Sequence, residues 1–204
     1  MKKVAITGNI GSGKSWVSAL FEKRLHVPVF YSDVEAKRLY LRADIRAAMK
    51  RRFGPDVYHR NGRLNRQRLS EIIFNDASAM REVECLLYPA LNAYFSEWAE
   101  AHDAPYVLYE SAIVFEKHLE GLFDGVIMVS ASEATRLRRV MLRDHCDEAA
   151  VRRRMDNQWP EETKRALADF VIMHDADNEQ DSLMQQVLAV HQILFQKVCL
   201  HVEL

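Results

Sequence analysis

The sequence predicts an α/β protein: a parallel sheet of the P-loop NTPase type flanked by helices, with a helical insertion and a small helical lid. Three observations lead there. Strand-like runs recur at residues 3–7, 27–31, 106–109, 126–129 and 170–173, most of them short and continuously apolar, as strands buried on both faces should be. Helical patterns lie between them, at 15–24, 34–41, 66–74, 77–102, 134–143 and 178–198, and this alternation is that of a parallel sheet with helical crossovers. Finally, the run Gly8-Asn9-Ile10-Gly11-Ser12-Gly13-Lys14-Ser15 between the first strand and the first helix fits G-x-x-x-x-G-K-[ST] at every fixed position.

That run sets the chemistry of the first strand and helix. Glycines let the backbone curl so that successive N–H groups point inward and form an anion nest. The helix that follows adds its positive end to the same spot. Lys14 is placed to reach the β- and γ-phosphates of a nucleotide, and Ser15 to offer its hydroxyl to Mg²⁺. A ligand-free glycine turn would leave the Lys14-Ser15 pair without a purpose.

The second strand ends at Ser32-Asp33, so Asp33 is expected at the same sheet edge as Lys14. A carboxylate there either accepts a hydroxyl proton, holds Mg²⁺ through water, or simply caps the helix that follows. From residue 43 to 102 the chain is helical without a strand and reads as an insertion over the ligand-binding edge. The nucleotide-binding core is accordingly 1–42 with 103–204. Pro89 is expected to kink or divide the long helix near Leu87. After the turn at Asn61-Gly62, Arg66 opens a helix, as a clamp for an acceptor phosphate or as an ordinary first-turn residue. Glu110 closes the third strand, either behind a metal or as a surface acid.

Spacing of three and four puts Arg136, Arg139 and Arg143 on one helix face, and Arg152, Arg153 and Arg154 follow. Singly, each is readily a solvated residue paired with Glu133, Asp144 or Asp147. As a group they read as a lid, about 134–160, that closes on ATP and brings an arginine to the transition state.

Composition narrows the classes. The chain has 204 residues, 49% of them hydrophobic, with a formal net charge of −1. One domain with an inserted subdomain fits that length, and the charge argues against a general nucleic-acid binder. The 3 cysteines, Cys85, Cys146 and Cys199, are far apart, as reduced thiols of a cytosolic protein would be. None of the 8 histidines shows a metal-ligand spacing. No apolar run is long enough for a membrane span, and the start is too short for a signal segment. The chain reads as soluble and cytoplasmic.

These features, in this order, resemble the dephospho-coenzyme A kinase family nearly end to end. Ala5 to Ser15 looks like its phosphate-loop signature. Ser32-Asp33-Val34-Glu35 with Arg38 stands at its D-A-D segment, whose first Asp is taken as the base. Gly62 to Arg66 is similar to its L-D-R element, and Tyr88-Pro89 stands where His-Pro is usual. Ala112-Ile113-Val114-Phe115-Glu116 replaces P-L-L-F-E. Thr135-Arg136-Leu137 with Arg139, Arg143 and Asp144 resembles the lid helix. Arg154, Gln158 and the run Ala168 to Ile172 resemble the closing segments. Glu35, Tyr88, Arg136 and His174 depart from the usual residues.

The resemblance implies an ATP- and Mg²⁺-dependent kinase acting on the ribose 3′-hydroxyl of dephospho-coenzyme A, with no nucleic-acid or membrane partner, as a monomer or weak homo-oligomer. It implies Asp33, Lys14, Arg139 and Arg143 as catalytic, and Ser15 at the metal. Gly8 to Trp16 and His174 would bind the nucleotide. Asp33, Arg66, Tyr88, Pro89, Phe115 and Glu116 would bind the acceptor. Another small-molecule or nucleoside monophosphate kinase is the competing reading. A GTP switch would need N-K-x-D and D-x-x-G, and neither occurs.

Overall fold

In the computed structural model, which describes residues 1–76, 78–175 and 180–199, five strands form one sheet in the order β2-β3-β1-β4-β5. The strands are β1 (Lys2–Thr7), β2 (Val29–Tyr31), β3 (Tyr106–Glu110), β4 (Gly125–Ser130) and β5 (Phe170–Met173). β1 lies parallel between β3 and β4, with Val4 opposite Leu108 and Ala5 opposite Val126. Val4, Ala5 and Ile6 have no exposed surface, which is why the middle of the strand is continuously apolar rather than alternating. β5, at an edge, leaves Val171 and Met173 partly exposed. There Gln186 accepts a hydrogen bond from Met173 N at 2.8 Å and donates to Met173 O at 3.1 Å.

The chain forms two compact units. Met1–Phe30 and the chain from His102 onward make one, and Tyr31–Ala101 the other. The first carries α1 (Lys14–Leu25), α6 (Glu133–Asp144), α7 (Glu148–Met155), α8 (Glu161–Leu167) and α9 (Gln180–Cys199). α9 packs on β3, where the buried Tyr106 hydroxyl lies 2.7 Å from His191 Nδ1. α6 is capped by Ser132, whose hydroxyl accepts from Thr135 N, and α7 by Asp147, which accepts from Ala150 N at 2.7 Å.

The second unit carries α2 (Ser32–Leu39), α3 (Ala43–Phe53), α4 (Arg66–Asn75) and α5 (Ala79–Glu100). Leu39, Ile45, Met49, Phe53, Leu87 and Phe95 bury its core. Tyr58 donates its hydroxyl to Tyr40 O at 2.9 Å, and burial pushes its pKa up to about 12. α2 packs on α5, so this unit begins at Tyr31, earlier than the insertion drawn at 43.

Of the two outcomes expected at Pro89, a kink or a division, the division does not occur: α5 runs unbroken from Ala79 to Glu100. Pro89 and Cys85, four residues earlier, are both exposed. Water can therefore take the place of the missing N–H at the Cys85 carbonyl. Ala77, Asn178 and Glu179, expected at two helix starts, lie outside the described residues, as does the Cys199 side chain; Cys85 and Cys146 are free thiols.

Candidate active site

The phosphate loop is shaped by its glycines. Ser12 N donates to Asn9 O at 3.0 Å, and α1 opens with Trp16 N and Val17 N both donating to Gly13 O. Gly11 and Gly13 hold φ of 81° and 86°, the left-handed region that costs other residues about 1–2 kcal/mol. Each is also pressed by a neighbour. A Cβ on Gly11 would lie 2.5 Å from Arg136 O, and one on Gly13 would collide with the His174 imidazole. Loop, α6 and the end of β5 are thus built around absent side chains.

Lys14 and Ser15 converge on one carboxylate. Lys14 Nζ is ion-paired to Glu110 Oε1, and Ser15 Oγ donates to the same oxygen at 3.4 Å. Glu110 is 4% exposed at the end of β3, so it is no surface acid. A nest of backbone N–H groups beside Lys14 fits nucleotide phosphates. Ser15 and Glu110 supply the hard oxygens that suit Mg²⁺. Among the described residues no cluster of His, Cys, Asp or Glu makes a metal site by itself, so such an ion would take its other ligands from phosphate and water.

The arginine helix divides by role. Arg139 Nη1 donates to His174 O at 2.8 Å and to Ser12 O at 3.4 Å, which sets its guanidinium against the loop. Arg143 pairs at 2.7 Å with Asp144, which also takes Arg154 Nη1 at 2.7 Å. Those two guanidinia hold the Asp144 carboxyl well below the usual range. Arg136 does not belong to an exposed stripe. It is 7% exposed, with Nε donating to Ala131 O at 3.1 Å and lying 2.8 Å from Glu161 Oε2. It braces α6 against β4 and α8.

Behind this lies a second buried cation that sequence reasoning missed. Lys164 of α8 has no exposed surface; it pairs with Glu116 Oε1 and donates to Ala112 O at 3.1 Å. Burial pushes the Lys164 pKa down, and Glu116 opposes the shift. Glu116, expected at the acceptor, is engaged here with Lys164 and with Trp159 N at 3.1 Å. Phe115 is likewise a core residue, 1% exposed in a cluster with Ala5, Val114, Leu119 and Val126. Its side chain presents no surface to a ligand. A cavity of about 780 Å³ opens beside these residues, lined among others by Asn9, Arg136, Gln158, Trp159, Glu161 and Asp175.

The remaining expected residues are placed separately. His174 packs on Gly13, with Nδ1 3.3 Å from Ser12 O, and Trp16 stands 52% exposed in the first turn of α1. In the second unit Asp33 is exposed in the first turn of α2 and caps nothing, since α2 begins at Ser32 without a side-chain cap. Arg66 is exposed at the start of α4, where Asn65, not Arg66, provides the cap by accepting from Arg68 N at 3.1 Å. Tyr88 is half-buried beside the exposed Pro89 on α5.

A parallel sheet whose first strand runs through such a loop into a helix, with Lys14 and Ser15 at its base, defines a P-loop kinase. The model of the dephospho-CoA kinase family matches residues 2–181. The dephospho-CoA kinase of Mannheimia succiniciproducens is 35% identical over 93% of this chain and 89% of its own. The crystal structure of TT1252 from Thermus thermophilus superposes with a TM-score of 0.82 at 32% identity, covering 94% of this chain and 96% of that one. Dephospho-CoA kinase from Campylobacter jejuni gives a TM-score of 0.70 at 24% identity over 96% and 98% of the two chains, a likeness of fold. The chain belongs to the dephospho-CoA kinase family.

Proposed function

We propose that this chain transfers the γ-phosphoryl group of ATP to the ribose 3′-hydroxyl of dephospho-coenzyme A, giving coenzyme A and ADP. The observation that carries the proposal is the convergence of Lys14 and Ser15 on Glu110 beneath a glycine-shaped nest, in a chain of this family.

The loop N–H groups bind the phosphates, and Lys14 exchanges its partner carboxylate for phosphate oxygens and neutralises charge that spreads as the bond to the leaving oxygen stretches. Arg139, held at the loop, supplies charge from the other side, and Arg143 joins it when freed from Asp144. Mg²⁺, with Ser15 as ligand and Glu110 beside it, would neutralise the β- and γ-phosphate oxygens when bound. Asp33 accepts the hydroxyl proton of the acceptor. Trp16 and His174 flank the nucleotide, and Arg66, Tyr88 and Pro89 of the second unit receive the acceptor. The 134–160 segment acts as the lid. Among the described residues no helix is long and apolar enough to cross a membrane. We place the enzyme in the cytoplasm, acting on a small molecule.

A coupled ADP-release assay with dephospho-coenzyme A, AMP, dTMP and shikimate as acceptors tests this. Release with the first alone is expected. Release with any of the others and none with dephospho-coenzyme A overturns the assignment.

A further inference from the structure

Two hydrogen bonds join the phosphate loop to the segment that follows α7. Ile10 N donates to Gln158 Oε1 at 2.8 Å, and Asn9 Nδ2 donates to Trp159 O at 3.1 Å. The segment is itself anchored at both ends. Gln158 N donates to Met155 O at 2.9 Å, at the end of α7. Trp159 N donates to Glu116, which is ion-paired to the fully buried Lys164.

The geometry concerns one peptide unit. The Asn9 carbonyl and the Ile10 N–H belong to the same plane and point in opposite directions. The carbonyl end is held by Ser12 N at 3.0 Å, closing the crown of the loop, and the N–H end is held by Gln158. Without an acceptor at position 158 that plane has one fixed end and can swing. Asn9 offers no substitute. It is 5% exposed, its amide nitrogen is committed to Trp159, and its Oδ1 is buried without a partner. The Ile10 N–H is therefore withdrawn from the anion nest and spent on orientation. The base of the loop, with Gly13 as the N-cap of α1 and Lys14 and Ser15 in its first turn, does not touch this segment among the contacts described.

We propose that Gln158 is a positioning residue for phosphoryl transfer: it fixes the Asn9–Ile10 peptide and so ties the crown of the phosphate loop to the end of α7. The base of the loop still binds nucleotide when that tie is lost, but the outer phosphate is no longer held in line. The chain of contacts from Lys164 through Glu116 and Trp159 keeps Gln158 in place, so α8 takes part in shaping a loop far from it in sequence. This rests on ATP being the phosphoryl donor.

The test compares Gln158→Leu, which removes the acceptor at similar volume, with Gln158→Glu, which keeps it. In the full chain, Gln158→Leu is expected to lower kcat for dephospho-coenzyme A at least about tenfold, since misplacement of about 1 Å can cost a hundredfold. The Kd for ADP should change less than about threefold, because binding and turnover report different contacts. Gln158→Glu should regain most of kcat, with a raised KM for ATP from its charge. A Gln158→Leu enzyme within about twofold of wild-type kcat, or a Gln158→Glu enzyme equally impaired, overturns the proposal, as does an ADP Kd that rises in step with the loss of kcat. If Gln158→Leu melts early, Gln158→Asn, one methylene short of Ile10, serves in its place. The basal ATP hydrolysis of the same variants reads the loop without any acceptor. If wild type ignores dephospho-coenzyme A, the acceptor assignment fails while a hydrolysis loss in Gln158→Leu still upholds the role of Gln158, and unchanged hydrolysis still overturns it.

Discussion

The Lys14 ammonium is ion-paired to the Glu110 carboxylate, which is 96 residues away in sequence and sits at the end of the neighbouring strand. The register explains the meeting: Ile6 of β1 lies opposite Glu110 of β3, and the loop that leaves β1 returns Lys14 over the same strand end. The cation proposed above to bind phosphate is therefore neutralised by a carboxylate in this structure.

Glu110→Gln separates these two effects. With the negative charge gone, ADP binding in EDTA should tighten about fivefold, the factor for about 1 kcal/mol of repulsion between charges some 4 Å apart in water. Turnover with Mg²⁺ should fall, because an oxygen donor beside Ser15 has lost its charge. Titration calorimetry in EDTA and in Mg²⁺ gives both numbers, and unchanged affinity in EDTA removes Glu110 from competition for Lys14.

Asp33→Asn is isosteric and cannot take a proton. The variant should bind ATP as wild type does and lose about 10²–10⁴ in kcat, the span general-base catalysis covers. Near-normal turnover would falsify the role assigned to Asp33.

At Gly13 two penalties combine: a left-handed backbone and the His174 ring where a Cβ would go. Gly13→Ala should lower the melting temperature and weaken ADP binding. Adding His174→Ala removes one penalty and should restore part of the affinity. A double variant no better than the single one shows that the ring contact is not the cause.

His191, beside the buried Tyr106 hydroxyl, has its pKa lowered from 6.5 by burial. Its unfolded form then binds more protons than its folded form on the acid side. The stability it lends is whole above pH 6.5 and is lost as pH falls through the folded value. Melting curves of wild type should drop more steeply between pH 7.5 and 5, a range chosen to bracket about pH 6.5, than those of His191→Phe. Parallel curves would assign the acid sensitivity to other groups.

The five strands, the loop and the long helices were legible because each rests on local signals: apolar runs, glycine spacing and helical periodicity. Arg136 and Lys164 were not. Arg136 has the same spacing as Arg139 and Arg143, and tertiary partners, Glu161 from a later helix and the Ala131 carbonyl, make it a buried brace. Lys164 sits in Glu-Glu-Thr-Lys-Arg, which reads as a solvated face; its partner Glu116 comes before β4 in the chain and could not be inferred from spacing. Gln158 matched a family position, yet its bond to Ile10 is a tertiary contact without a sequence signature. At Pro89 the sequence left a kink and a division both open, and the division is avoided where the face carrying Pro89 and Cys85 meets water.

Gln186 carries a consequence for association. A strand at the rim of a sheet is a template on which another chain can add, and β5 offers both apolar side chains and backbone groups for that purpose. By taking the N–H and the carbonyl of Met173 together, the amide of Gln186 mimics the next strand for one residue and stops there. The sheet is ended by a side chain that cannot propagate it.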